Sequence, residues 1–405
     1  MLEVTPHQDL APALQSNAPL TVELLNLEAA AAYVAQWRHL AETCIEPNIF
    51  LDPDFALPAA RHIAHKKPPR FLFVWETEAS GQRKLVGLFP LAHARPAGRL
   101  FAPRIWTHEQ APLGTPLLDG GRAKDALAAV FAYCRTQSKD AGLLFPLLPQ
   151  EGETARLLRE GAAAEDRAID IFAAHQRACL SAGPDPQHYL EKSVTSNRRR
   201  KLKRAHKLLE ARGALTFQIA TAPDQIRAAA EAFLDLEAKG WKGRRGTAFL
   251  KSPERAAFAS EIAEKLTIHA KYSVASLNLN GRPLAVGLIL KSGHRAFWWK
   301  IAYDEAFATY SPGVLLAVEL TRVLLTDTTI EMTDSCAQAD HPMIDHIWSE
   351  RMGIADLLVA VDAEYPKKFA AFARRESLRR NLRSHLKAAV LGLRQRLRGA
   401  THAPN

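Results

Sequence analysis

The order of apolar periods along this chain is written twice, and that repeat constrains the fold more than any single motif. The clearer copy lies between residues 214 and 362. LTFQIAT (215–221) alternates as a strand does, and helical spacing follows at 223–241, behind a proline, and again at 253–270. Three strands then form a meander: YSVASLNLN, PLAVGLILKSG after the turn at Asn280-Gly281, and RAFWWKIA after Gly293. A helix opening at Ser311-Pro312-Gly313, strand 328–334, a helix within 340–353 and strand 355–362 complete the order βααβββαβαβ.

The first half repeats that order. A strand at 20–26 leads into helices at 27–43 and 52–64. Strands RFLFVWETE, KLVGLFPLAHA and RLFAPRIW follow, then a loop over 107–121, a helix at 122–138, strand 142–149, a helix at 151–163 and strand 167–174. The expected class is α/β (α+β): two tandem units, each a mixed central sheet with helices on both faces. Expected boundaries are an extension at 1–19, the first unit at 20–183, a basic helix at 184–213, the second unit at 214–365 and a basic tail at 366–405.

A chain of 405 residues with 47% hydrophobic residues has material for two cores. No apolar run reaches the roughly 18 residues of a membrane span, and MLEVTPHQDLAPAL lacks the pattern of a signal peptide, so the expectation is a cytoplasmic protein. Cys44, Cys134, Cys179 and Cys336 lie too far apart for a metal-ligand spacing, and no metal is expected. The net charge of +10 is local: residues 367–398 hold eleven Lys and Arg against one acid, Glu376. Phe369, Phe372, Leu378, Leu382, Leu386, Val390, Leu393 and Leu397 recur there at helical steps, a basic amphipathic pattern. An anionic membrane surface fits it, which extends the expected location to the inner face of a membrane. Transfer RNA, an acidic protein or the body of the protein itself are the alternatives.

Chemistry concentrates in the second copy. Ser311 is placed to cap a helix, Pro312 lacks an N–H that would be orphaned in the first turn, and Gly313 admits a ligand to bare backbone; together they read as an anion site or as an ordinary helix start. Lys300 stands among Trp298, Trp299 and Tyr303, where it either pairs with Asp304 or Asp334 or meets a ligand anion. Strand alternation puts Lys300 on the side of Trp298. AKGWKGRRGTAF (238–249), with three glycines among four cations, reads as a substrate loop or a flexible connection. The cluster Arg198 to Arg204 is a solvated face or a groove for an anionic ligand, and Cys336 reads as a small, partly buried thiol.

The element order resembles the GCN5-related N-acetyltransferase (GNAT) fold, and two such units in tandem resemble the Fem peptidyltransferases. FLDPDFALPA, APLGTPLLD, SNRRRKLKR, AKGWKGRRGTA, FWWKIAYDEAFATYSPGVLL and DSCAQADHPMIDHIWSERM, taken together, resemble the CelD family of bacterial GNAT-like proteins, named for an association with cellulose biosynthesis. The resemblance implies acyl transfer from acyl-CoA or acetyl-CoA to an amine on a small molecule, glycan or peptide. Its cleft opens between the fourth and fifth strands of the unit. That placement implies Tyr310, Ser311, Pro312, Gly313 and Val314 at the donor, with catalysis drawn from Lys300, Asp304, Asp334, Asp340 and His341. Trp241, Lys242, Arg244, Trp298 and Arg198 would contact substrate. One departure stands out: DEAFATYSPG has a single glycine and two acids where such loops usually carry spaced glycines around a pyrophosphate. A transferase using charged transfer RNA and a non-catalytic scaffold of an envelope-polysaccharide system are the other readings.

Overall fold

A computed structural model describes residues 19–92, 103–138 and 141–382. Among the described residues, twelve strands form two sheets. In the first half β1 (Leu20–Leu25), β2 (Arg70–Thr77), β3 (Arg83–Leu91) and β4 (Leu117–Leu118) make an antiparallel sheet in sequence order. The other eight are β5 (Gly142–Pro149), β6 (Ile169–Ser181), β7 (Leu215–Ala220), β8 (Tyr272–Leu279), β9 (Arg282–Ser292), β10 (Arg295–Tyr303), β11 (Met332–Asp334) and β12 (Glu350–Ala360). They run in the order β5-β12-β6-β11-β10-β9-β8-β7.

That order records an exchange. β6, the last strand of the first half, pairs with β11 and β12 of the second half, and β12 pairs with β5 and β6 of the first. Each half therefore closes with the other's last strand. Of the expected strand at 99–106, residues 99–102 lie outside the described set. The remainder bridges the sheets through Trp106 N–H to Pro90 O at 2.7 Å and Ile105 N–H to Leu144 O at 2.9 Å.

Helices Pro223–Lys239 and Pro253–Ile268 cover one face of the large sheet, burying Ile226, Phe233, Phe258 and Ile262. Helix Pro312–Thr326 covers the other with Leu315, Leu316, Leu320 and Leu324. The first of these cores is common to both halves, since Phe50 meets Phe297 at 5.3 Å and Phe55 meets Trp299 at 5.5 Å between ring centres. Edge-to-face contacts of this kind add to the area they bury. The basic connection is two helices, Pro186–Ser193 and Ser196–Glu210, which bury Tyr189, Leu190 and Leu209 and turn most of their cations outward.

Expected elements also differ around β11. The helix within 340–353 is only a turn at Ile344–His346, because Ile344, Ile347 and Trp348 are all drawn into the core and Glu350 already pairs with Cys179 of β6. Strand 328–334 shortens to three residues. The tail begins as a helix at residue 366 and packs Phe369 on Leu144, Leu358 and Ala360; its sequence from 383 onward lies outside the described residues.

Candidate functional site

β10 and β11 run parallel but pair over only three positions, Arg295–Phe297 against Met332–Asp334. Beyond them β11 ends and the chain turns away through Cys336, in the left-handed region at φ 54°, while β10 continues to Tyr303 on its β9 edge. The strands splay, and the β11-facing edge of β10 is left without a strand partner. A cavity of about 700 Å³ fills the gap, walled by Trp298–Tyr303 on one side and Ser335–Gln338 with His341–Ile344 on the other. That volume suits a ligand of cofactor size.

Helix Pro312–Thr326 points its N-terminus at this gap, and Ser311, Pro312, Gly313 and Val314 line it. Ser311 departs from the expected cap. Its backbone is left-handed at φ 52°, ψ 52°, and its hydroxyl makes no capping bond; its carbonyl instead accepts from Val314 N–H at 2.9 Å and Leu315 N–H at 3.1 Å. A non-glycine residue held in that region stores about 1 kcal/mol of strain, a cost that recurs beside ligand sites. With no N–H on Pro312, Gly313 supplies the donor of the first turn that has no backbone acceptor among the described residues. Tyr310 lies outside the cavity, with the Arg212 guanidinium 4.9 Å over its ring.

Lys300 faces the cavity from the side opposite to the one strict alternation gives. A bulge between Trp298 and Lys300 puts the consecutive residues Trp299 and Lys300 on one face, so Trp298 packs with Ile301 and Tyr303 while Lys300 lies over Trp299. Its Nζ is 5.1 Å from the Trp299 ring and 5.8 Å from that of Phe249. Neither Asp304 nor Asp334 reaches it, and no carboxylate among the described residues pairs with it. Burial pushes its ammonium down to about 8, assisted by the positive charge of Lys242 and opposed by Glu237. Glu237 was not anticipated as a site residue. It sits on the buried stripe of its helix, accepts from Lys242 Nζ at 2.8 Å and from Phe249 N–H at 2.9 Å, and so fixes Lys242 at the cavity wall. An acid on an otherwise apolar face, after Ile226 and Phe233, is the sequence signal for it.

The acids beyond β11 are occupied or remote. Asp334 is buried; its Oδ2 holds Arg177 at 2.8 Å and its Oδ1 accepts from Cys336 N–H at 2.8 Å. Asp340 is exposed and outside the cavity. Asp304 accepts from Ala306 N–H and pairs with Arg282 at 2.6 Å, which makes it a turn residue. His341 does line the cavity. Its Nδ1 accepts from Met343 N–H at 3.3 Å and Ile344 N–H at 3.4 Å, so the neutral ring carries its proton on Nε2 and offers a donor to the cavity; burial holds the imidazole below its ordinary range. The Cys336 thiol is held well above its ordinary range by burial and by Asp334.

The glycine-rich segment is ordered against the cavity. Trp241–Arg244 is a short helix, Trp241 N–H donates to Glu305 Oε1 at 2.7 Å, and Arg244 pairs with Glu305 Oε2 at 2.7 Å. The two acids of the DEAFATYSPG loop are thus each matched by an arginine, which removes the charge conflict with an anionic ligand. Trp241, Lys242 and Trp298 line the cavity, whereas Arg244 and Arg198 do not. From the first half, Gln110 O accepts from Trp299 Nε1 at 2.8 Å, and His108 stacks between Trp106 and Phe55 behind Trp299 and Lys300.

Residues 196–341 match the family model of the acetyltransferase (GNAT) domain. The match begins in the basic helix and covers every cavity-lining element of the second half up to His341. No curated protein matches the chain. Among solved structures, a conserved protein of unknown function from Bacteroides thetaiotaomicron is 11% identical, covering 84% of this chain and 100% of that one with a TM-score of 0.52. FemX is 11% identical over 80% of this chain and 95% of its own, with a TM-score of 0.51. The C-terminal domain of a protein assigned as a lysylphosphatidylglycerol synthetase from Agrobacterium fabrum is 12% identical over 86% and 95%, with a TM-score of 0.50. Likeness at such identities shows the fold: this chain carries an acetyltransferase (GNAT) domain within an architecture similar to that of FemX.

Proposed function

We propose that the protein is an acyltransferase that moves an acyl group from acyl-CoA or acetyl-CoA to an amine, and that its place is in exopolysaccharide or cell-envelope biosynthesis. The observation that carries the transfer reading is the splay of β10 from β11 around Lys300, which is half-buried and unpaired, opposite the free N–H of Gly313. The sequence strings that resemble the CelD family are the ground for the polysaccharide setting.

The residues fit such a donor. Gly313 N–H and the helix end behind it would meet a phosphate, and the partnerless edge of β10 offers N–H and C=O groups to the amides of an extended pantetheine arm. A thioester supplies the carbonyl carbon that the amine attacks and the sulfur that leaves. Lys300, neutral in a useful fraction because it titrates near 8, is placed to take the proton the attacking amine loses. His341 Nε2–H and the Tyr303 hydroxyl are donors on the same cavity, suited to the carbonyl oxygen and to the departing sulfur. Trp241, Lys242 and Trp298 would shape the acceptor's side.

A second reading, transfer from charged RNA, has its own observation. Seven cations of helix Ser196–Glu210, from Arg198 to Lys207, have no carboxylate partner among the described residues, and the helix packs against the turn Glu305–Tyr310 that leads into Ser311. Calorimetry with acetyl-CoA, coenzyme A and bulk transfer RNA separates the two. Micromolar binding of the coenzyme, lost in Gly313→Asp, supports the first; RNA binding at moderate salt without coenzyme binding supports the second. Binding of neither would leave a scaffold and overturn both.

A further inference from the structure

The helix over residues 366–382 has two unlike faces. Phe369, Phe372 and Ala373 are 5%, 5% and 8% exposed, and Phe369 packs on Leu144, Leu358 and Ala360 of β5 and β12. Glu376, the one acid of the helix, is turned to the same side, where it takes Arg380 at 2.8 Å and Arg104 at 3.4 Å; Arg380 also reaches Asp356 at 2.7 Å. The helix is therefore fastened to the body by an apolar seam and an ion-pair network.

Its opposite face carries Lys367, Ala371, Arg374, Leu378 and Leu382, at steps of three and four, with Arg375 beside them. Leu378 is 61% exposed and Leu382 62%. Leucines one turn apart on the outside of a docked helix add nothing to the core. Lys367, Arg374 and Arg375 are exposed, and none pairs with a carboxylate among the described residues. Glu376, the one acid within the helix, points inward. Sequence beyond the described residues keeps the composition: residues 383–398 add five Lys and Arg, no acid, and Leu386, Val390, Leu393 and Leu397.

We propose that this outward face seats the protein on a bilayer surface that carries anionic headgroups. A bilayer interface accepts both features at once, with leucines entering the acyl boundary while arginines meet lipid phosphates. An RNA would use the cations and leave the leucines idle, and an acidic protein groove would need no pair of protruding leucines. No helix of the described residues is long and apolar enough to cross a membrane, so the attachment is peripheral. Because Phe369 and Ala373 fix the helix to β5 and β12, the bound protein is held at a set orientation. None of this depends on acyl transfer.

The test is co-sedimentation of the full chain with vesicles of phosphatidylcholine alone or mixed with phosphatidylglycerol. The wild type should bind the mixed vesicles, bind pure phosphatidylcholine far less, and release as salt rises. Leu378→Ser with Leu382→Ser should weaken binding by about tenfold or more, and Arg374→Gln with Arg375→Gln by about fivefold per charge removed. All four changes leave the docked face untouched. If a double variant melts early, Leu378→Gln and Arg374→Gln are read singly. Failure to bind the mixed vesicles, binding that neither pair of changes alters, dimerisation that Leu378→Ser abolishes without vesicle binding, or capture of a labelled RNA in place of vesicles would each overturn the proposal.

Discussion

Arg177 of β6 and Asp334 of β11 form an ion pair in which both side chains are 2% exposed, Nη2 donating to Oδ2 at 2.8 Å. It joins the last strand of the first half to the fifth strand of the second, just where β10 and β11 begin to part. Arg177 also donates to Pro112 O at 2.9 Å, and Asp334 positions Cys336 N–H. Removing one partner leaves the other's charge buried, so Asp334→Asn should lower unfolding free energy by about 3–5 kcal/mol in denaturant titrations. The Arg177→Met, Asp334→Leu double change should recover a large part of that loss. A carboxylate acting as catalytic base would behave otherwise, with activity lost at unchanged stability.

His108 makes stability sensitive to acid. Its ring lies 4.7 Å from Trp106 and 6.1 Å from Phe55 in stacked pairs, its Nε2 has no hydrogen-bond partner, and burial, then the nearby Lys300 charge, pushes its pKa down to about 3. The unfolded chain takes up a proton near 6.5 that the folded chain refuses, so this contribution is fully present above 6.5 and is lost as pH falls toward 3. At pH 5 the loss is about 1–2 kcal/mol. His108→Phe should flatten the melting temperature between pH 7 and 5. An unchanged slope would place the acid sensitivity in another group.

Gly243 and Gly313 answer differently to alanine. A Cβ on Gly243 would lie 1.8 Å from the carbonyl oxygen of Ala238, a backbone atom that cannot yield without moving the turn. A Cβ on Gly313 would meet only side-chain atoms at ordinary contact distance, Ile301 Cδ1 at 3.4 Å, Tyr303 Cδ1 at 3.7 Å and Met343 Sδ at 3.9 Å. Gly243→Ala should cost about 2 kcal/mol or more and displace Trp241 and Lys242, which protection of the segment from proteolysis would reveal. Gly313→Ala should melt within a few degrees of the wild type.

The meander was legible because its signals are local. Apolar alternation and the turn at Asn280, φ 50°, and Gly281, φ 77°, mark β8 to β10 without reference to distant chain. The exchange of β6 and β12 was not legible: it is settled by which apolar strand finds which edge, and both sequences suit either edge. The same competition turns 350–353, expected as helix, into strand. Lys300 was legible as a candidate, but its side of the sheet was not, since the bulge before it follows from packing Trp298 and Trp299 on opposite cores. Glu305 reads as a charge conflict in sequence and becomes harmless only when Arg244, 61 positions earlier, folds against it.

Lys300 carries the prediction that joins stability to chemistry. Its folded pKa of about 8 lies below the 10.5 of an ordinary lysine, so the folded chain holds fewer protons than the unfolded one between those values. Stability carries the full penalty of the buried charge below pH 8 and recovers as pH rises toward 10.5. Lys300→Met should therefore melt higher than the wild type at pH 7, by on the order of 2 °C, with the gap closing at higher pH. If Lys300 takes the proton from the acceptor amine, kcat/KM rises with pH to an inflection near 8, and Lys300→Met removes both the inflection and about two to four decades of rate. A Met variant that melts higher yet keeps the inflection would assign the base to another group while leaving the buried-charge account intact.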